Sequence, residues 1–200
     1  MSLIAWLHRR FVFLRRIRVL AALLAEMLPS DAKILDVGCG DGLLARRIAE
    51  RRPDVAISGI DVMLRPESHV AVAQFNGTTI PFEDDSFDVV MFIDVLHHTD
   101  DPEALLREAR RVARRAVLLK DHTRDGVLAG PTLRFMDWFG NAPHGVVLPY
   151  NFWPEGRWRE AFEHVGLIPT AWNSRLHIYP APGSWFFDRS LHFIARLEFA

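Results

Sequence analysis

One cysteine in 200 residues, Cys39, rules out a disulfide within the chain and fits a reducing compartment. Long apolar runs are missing as well. The longest near the start, Val19 to Ala25, falls far short of the ~18–20 residues a membrane span requires. Arginines are scattered through the opening segment and no small-residue cleavage site follows a clean apolar run, so no secretion signal is expected. Neither sign of charge dominates: Lys and Arg number 24, Asp and Glu 25, and the formal net charge is −1. Such a balance gives no reason to expect a nucleic-acid partner. No internal repeat and no low-complexity tract is present. These absences lead to the expectation of a cytoplasmic protein with one domain over residues 1–200, half of its residues hydrophobic.

Five arginines, Arg9, Arg10, Arg15, Arg16 and Arg18, precede the first acid, Glu26. Residues 1–28 read as a helical extension in which Ile4, Leu7, Phe11, Leu14 and Ile17 share a face. Two uses of it are open. The helix packs against the domain, or its basic face, with Trp6, Phe11 and Phe13, meets anionic lipid through residues 1–18.

Ile34 to Val37 has the composition of a buried strand and runs into Gly38, Cys39, Gly40, Asp41 and Gly42, after which an apolar-periodic helix starts at Leu43. A strand, a tight turn and a helix N-terminus expose main-chain N–H groups to the polar end of a ligand. A dinucleotide fingerprint needs its third glycine three residues after the second, and Leu43 stands there instead. A second strand, Val55 to Ile60, ends in Asp61, which completes a βαβ unit. A carboxylate at that strand end can accept both hydroxyls of a ribose. Only eight residues then separate Asp61 from the next strand-like run, Val70 to Phe75, too few for the usual crossover helix.

Asn76 to Asp88 includes Ile80-Pro81-Phe82, acidic turn residues and Ser86-Phe87-Asp88, and leads into the apolar strand Asp88 to Ile93. Together with Asp36 and the Gly-x-Gly-x-Gly turn, this stretch resembles the class I S-adenosylmethionine-dependent methyltransferases, in the small-molecule branch that includes quinone and sterol methyltransferases. The resemblance covers residues 33–122 by motif. It implies a Rossmann-like, seven-stranded, mostly parallel sheet with helices on both faces and an antiparallel C-terminal hairpin. It also implies S-adenosylmethionine as cofactor, bound by Asp36, Gly38, Cys39, Gly40, Gly42, Asp61, Val62, Met63, Asn76, Gly77, Thr78 and Asp94. In that set Asn76 replaces the aspartate that usually meets the adenine amino group, and Val62 and Met63 cover an adenine face.

Methyl transfer from a sulfonium needs alignment, exclusion of water and, for a protonated acceptor, removal of a proton. Candidate bases lie past the fourth and fifth strands: His98, His97, His122 and Asp94, in that order. His97 and His98 are adjacent, so they are expected to point to different sides, and no metal is assigned. Cys39 is read as a small buried residue. Residues 123–153 carry Phe135, Met136, Trp138, Phe139, Tyr150, Phe152 and Trp153 between glycine and proline breaks, which suggests an aromatic lid over a small-molecule or lipid-like acceptor or, for any one ring, core filling. Two other functions stay open. One is a catalytically inactive binding or regulatory protein, suggested by Asn76 and the missing helix. The other is an NAD-dependent oxidoreductase, disfavoured by Leu43.

Overall fold

A computed structural model describes residues 12–141 and 150–200, the side chains of 139–141 excepted. The expectations for Ile4, Trp6, Leu7, Arg9, Arg10 and Phe11, and for the side chain of Phe139, lie outside the described residues. Helix α1 (Leu14–Met27) leads into β1 (Lys33–Val37), α2 (Leu43–Arg51), β2 (Ala56–Asp61), β3 (Val72–Gln74) and β4 (Phe87–Ile93). A 3-10 turn (Leu96–His98), α3 (Pro102–Val112), β5 (Ala113–His122), α4 (Ala129–Asn141), α5 (Glu155–His164), β6 (Leu167–Asn173), the single turn α6 (Ser184–Phe187) and β7 (His192–Phe199) complete it.

The strands form one sheet in the order β3-β2-β1-β4-β5-β7-β6. β1 to β5 are parallel, and β7 runs antiparallel to both β5 and β6. Ile34 to Val37 and Val89 to Phe92 are buried without a break, because helices cover both faces and leave no polar side to alternate with. Period-two alternation decides which layer each residue joins. Ile34, Val89, Met91 and Leu118 pack with Leu20 and Leu24 of α1 and with Leu44 and Ile48 of α2. Leu35, Val37, Val90, Phe92 and Leu119 pack with Leu105 and Leu106 of α3 and with Trp158 and Phe162 of α5. Helix α3 starts where Pro102 fits the first turn, and Asp101 caps it by accepting the Ala104 N–H at 2.9 Å.

Over its described part the N-terminal extension packs against the domain. Ile17, Leu20, Ala21, Leu24 and Ala25 are buried, while Arg15 donates to the carbonyls of His177 and Ile178 at 3.1 Å each. No helix among the described residues is long and apolar enough to cross a membrane. The link from β2 to β3 contains no helix, as the short spacing required.

The expected antiparallel C-terminal hairpin is present, with β6 pairing β7. β6 stops at Asn173, and the link to β7 carries α6. Leu176 and Ile178 are buried under α1 instead of continuing the strand, and Asp188 accepts the Ile178 and Tyr179 N–H groups that a ladder would have used. Pro180 and Pro182, which have no N–H to donate, follow directly.

Candidate active site

Between β1 and α2 the backbone turns on Gly38, Gly40 and Gly42, with φ of 73°, 61° and 73°. A Cβ on Gly38 would stand 2.5 Å from Val95 Cγ2, and one on Gly42 2.6 Å from Val70 Cγ2, so glycine is required by space as well as by φ. Gly40 differs, because nothing lies within 4 Å of where its Cβ would be, and its N–H donates to Asp61 Oδ2 at 2.8 Å. The other oxygen of Asp61 accepts the Met63 N–H at 2.8 Å. Thus the end of β2 is tied to the glycine turn across the parallel pair β1–β2.

Asp36 lies beneath the turn, 2% exposed, and its Oδ1 accepts no hydrogen bond from the described residues. Burial, and then the neighbouring Asp61 charge, push its carboxyl up to about 8. An orphaned carboxyl oxygen of that kind is costly unless something cationic or hydrogen-bonding meets it. The turn does not expose its N–H groups as expected, since Gly38 and Cys39 donate to the Ile60 carbonyl and Gly42 to the Cys39 carbonyl. The orphaned Asp36 oxygen and the open space at Gly40 instead fit the ammonium of the amino-acid end of S-adenosylmethionine. Cys39 is half-buried rather than buried as expected, and its Sγ takes the space beside Gly59, where a Cβ would stand 2.3 Å away. Burial followed by the Asp36 and Asp61 charges raises its thiol pKa and makes it a poor nucleophile.

Val62 and Met63 are exposed at the β2 end, and Val62 Cγ1 lies 3.1 Å from where a Cβ on Gly77 would be. Residues 61–63 and 76–78 therefore form adjoining walls. Asn76 Oδ1 accepts from the Thr78 N–H, the Thr78 hydroxyl and the Thr79 N–H at 2.9, 3.1 and 2.8 Å. The side-chain carbonyl thus holds its own loop, and the amide nitrogen is the end left for a ligand. Asp61→Ala is expected to weaken S-adenosylmethionine binding by about 1–3 kcal/mol, since a charged acceptor and the anchor of Gly40 go together. Titration calorimetry reads this directly, and unchanged affinity would remove Asp61 from the site.

Beyond β4 and β5 lies a buried charge network. Asp94, at φ 58°, ion-pairs with Arg16 of α1 and with Lys120, whose side chain is 1% exposed. Lys120 Nζ also donates to His192 Nδ1 at 3.2 Å. Burial opposes the Asp94 charge, but Lys120 and Arg16 outweigh it and hold that carboxyl well below its usual range. Asp121 accepts the Leu96 N–H at 3.1 Å and the His122 N–H at 2.8 Å, and pairs with His97 Nδ1 at 2.7 Å. Here too burial works against the charge on His97, and Asp121 outweighs it, raising the imidazole to about 10. His122 behaves in the opposite way: burial and then Lys120 lower it to about 4.

The expectation that His97 and His98 diverge is corrected by the structure. They sit in the 3-10 turn, where successive side chains are about 120° apart rather than on opposite faces. Their ring centroids are 4.0 Å apart, and both Nε2 atoms approach Asp137 Oδ1 of α4, at 3.8 Å and 3.5 Å. His98 is the more open of the pair, its Nδ1 has no hydrogen-bond partner among the described residues, and burial followed by the His97 charge lowers its pKa. Metal-ligating types meet in two groups, Asp94 with His97, Asp121 and His122, and His97 with His98 and Asp137. In the first, Arg16 and Lys120 already neutralise Asp94, which disfavours a further cation.

Lys120, Asp121, Asp137 and His192 belong to this network without having been singled out in the sequence, and Arg16 was noted there only as part of the basic run. Lys120-Asp121-His122 at a strand end was the available signal. The aromatic segment divides: Phe152 is buried and stacks on His97 at 5.1 Å, Trp153 packs on Trp158 at 4.8 Å, and Phe135 and Trp138 are exposed. Asn151 ties this segment to the histidine turn, its N–H donating to the His97 carbonyl and its Nδ2 to the Thr99 carbonyl.

A parallel sheet that ends in an inserted antiparallel strand, with a glycine turn facing an acidic strand end, defines the Rossmann-like class of S-adenosylmethionine-dependent methyltransferases. The chain belongs to the methyltransferase-domain family, whose profile matches residues 6–170. It is 34% identical over 106 residues to 27-O-demethylrifamycin SV methyltransferase of Amycolatopsis mediterranei, covering 46% of this chain and 39% of that protein. It is 31% identical over 97 residues to the ubiquinone biosynthesis O-methyltransferase of Pseudomonas entomophila, covering 41% and 40%. The match thus spans about two fifths of the length of these relatives. Among solved structures, a SAM-dependent methyltransferase from Aquifex aeolicus shares the fold with a TM-score of 0.64 at 15% identity, covering 92% of this chain and 93% of that one.

Proposed function

We propose that the chain transfers a methyl group from S-adenosylmethionine to a small-molecule or lipid-like acceptor. The observation that carries this reading is the orphaned Asp36 oxygen beneath a glycine turn that Asp61 pins from the next strand. S-adenosylmethionine supplies a methyl group activated by its positive sulfur. Asp36 and the backbone of Gly38, Cys39, Gly40 and Gly42 hold the amino-acid end, and Asp61 accepts the ribose hydroxyls. Val62 and Met63 cover the adenine, while Gly77, Thr78 and the Asn76 amide border its edge.

On the acceptor side, His98 is the general base. His97 carries a charge fixed by Asp121, His122 is hemmed in by Lys120 and Asp121, and Asp94 is neutralised by two cations, so none of the three can take a proton near neutral pH. Phe152 and α4 shield the histidines from water. Relatives named for rifamycin and ubiquinone methylation support a small-molecule acceptor with apolar character.

The test is incubation with methyl-labelled S-adenosylmethionine and a cell extract split into organic-soluble small molecules, protein and nucleic acid. Label entering the organic-soluble fraction is expected. Label found only in protein or nucleic acid, or in no fraction, would refute the acceptor class.

A further inference from the structure

Helix α4 is apolar on two sides. Ala129, Leu133 and the buried Asp137 face the domain at four-residue steps. On the outer side, Leu128 just before the helix and Phe135 and Trp138 within it are 65%, 54% and 54% exposed. A second exposed pair, Trp185 at 72% and Phe186 at 62%, belongs to α6. Arg189 joins the two segments, donating to the Phe186 carbonyl at 2.9 Å, the Val127 carbonyl at 3.5 Å and the Thr132 hydroxyl at 3.3 Å. Val127 is itself 83% exposed. Leu191, Leu133, Ala129 and Phe152 form one buried cluster beneath, so α4 and the segment after α6 share a base.

Positive charge outnumbers negative on this ridge. Arg124, Arg134 and Arg189 are exposed beside it, Arg124 lying along Gly130 and Arg134 over the Tyr150 ring at 5.6 Å. Of the acids in residues 123–141 and 180–191, Asp137 is buried and Asp188 holds the Ile178 and Tyr179 N–H groups, which leaves Asp125 exposed. Exposed tryptophan and phenylalanine flanked by arginine match a bilayer interface, where rings enter the acyl boundary and guanidinium groups meet phosphate. Three exposed arginines against one exposed acid, Asp125, favour an anionic surface as the partner.

We propose that the chain docks on anionic phospholipid bilayers through this ridge of Val127, Leu128, Phe135, Trp138, Trp185 and Phe186. Because Asp137 on the inner side of α4 meets His97 and His98, docking sets the acceptor side of the site against the membrane.

The test is co-sedimentation of the full chain with phosphatidylcholine vesicles, with and without phosphatidylglycerol. The wild type is expected to partition about tenfold more strongly onto the anionic vesicles, and the double variant Trp185→Ser, Phe186→Ser to lose about tenfold of that binding with its circular dichroism unchanged. Both side chains are exposed, so folding is preserved. Brominated acyl chains should quench the wild-type tryptophan fluorescence more than that of the variant. Absence of wild-type binding, binding equal in the double variant, or self-association through the ridge in place of vesicle binding would each overturn the proposal. None of these outcomes depends on methyl transfer.

Discussion

Asp121→Ala is expected to destabilise the fold by about 3–5 kcal/mol, the range for removing one partner of a buried ion pair. The Asp121 and His97 side chains are 0% and 2% exposed, so water does not screen them. Without the carboxylate, the His97 ring and the Leu96 and His122 N–H groups all lose their acceptor. The pH dependence separates this ion pair from a simple cavity. Against the penalty of burial, Asp121 raises His97 from 6.5 to about 10. A raised folded-state pKa contributes stability that is complete below the unfolded value and disappears as pH climbs through the folded one. The wild-type advantage over the variant, measured by urea unfolding, should therefore be largest near pH 6.5 and shrink toward pH 10. A difference that stays constant across that window would contradict the charged pair.

His98→Ala should lower kcat by about 10²–10⁴-fold, the usual contribution of a positioned general base, with affinity for S-adenosylmethionine unchanged. The pH profile distinguishes this from a structural role. Since burial and the His97 charge hold His98 below its ordinary 6.5, wild-type kcat should stay at its plateau at neutral pH and fall only on the acid side of that value. In the variant that acid limb should be absent. The measurement is the initial rate of labelled methyl incorporation against pH. A loss smaller than tenfold with the acid limb intact would remove His98 from the chemistry.

What the sequence made legible was local. The strand, the glycine turn and Asp61 are set by residues within one βαβ unit, where buried composition and glycine spacing translate directly into backbone. α3 is local in the same way, since Asp101 caps it and Pro102 fits its first turn, and the absent helix after Asp61 was excluded by eight residues of spacing. The charge network was not legible, because its members come from distant elements. Arg16 and Asp94 are separated by 78 positions, Lys120 and His192 by 72, and no periodicity links α1 to β4 or β5 to β7. The direction of His97 and His98 was misread for a different reason: alternation belongs to strands, and a 3-10 turn brought both rings toward Asp137. Where β6 ends was decided by burial of Leu176 and Ile178 under α1, a tertiary preference that outranks strand propensity.

Binding of the cofactor tests the central claim most directly. Isothermal titration of the chain with S-adenosylmethionine, S-adenosylhomocysteine and NAD in two buffers of different ionisation enthalpy measures both affinity and proton release. S-adenosylmethionine and S-adenosylhomocysteine should bind one per chain and NAD should not. With Asp36 raised to about 8 by burial and by Asp61, binding of a cationic ligand end at neutral pH should release a proton, and Asp36→Asn should abolish that release. No heat from either sulfur nucleoside, or tighter binding of NAD, would contradict the account.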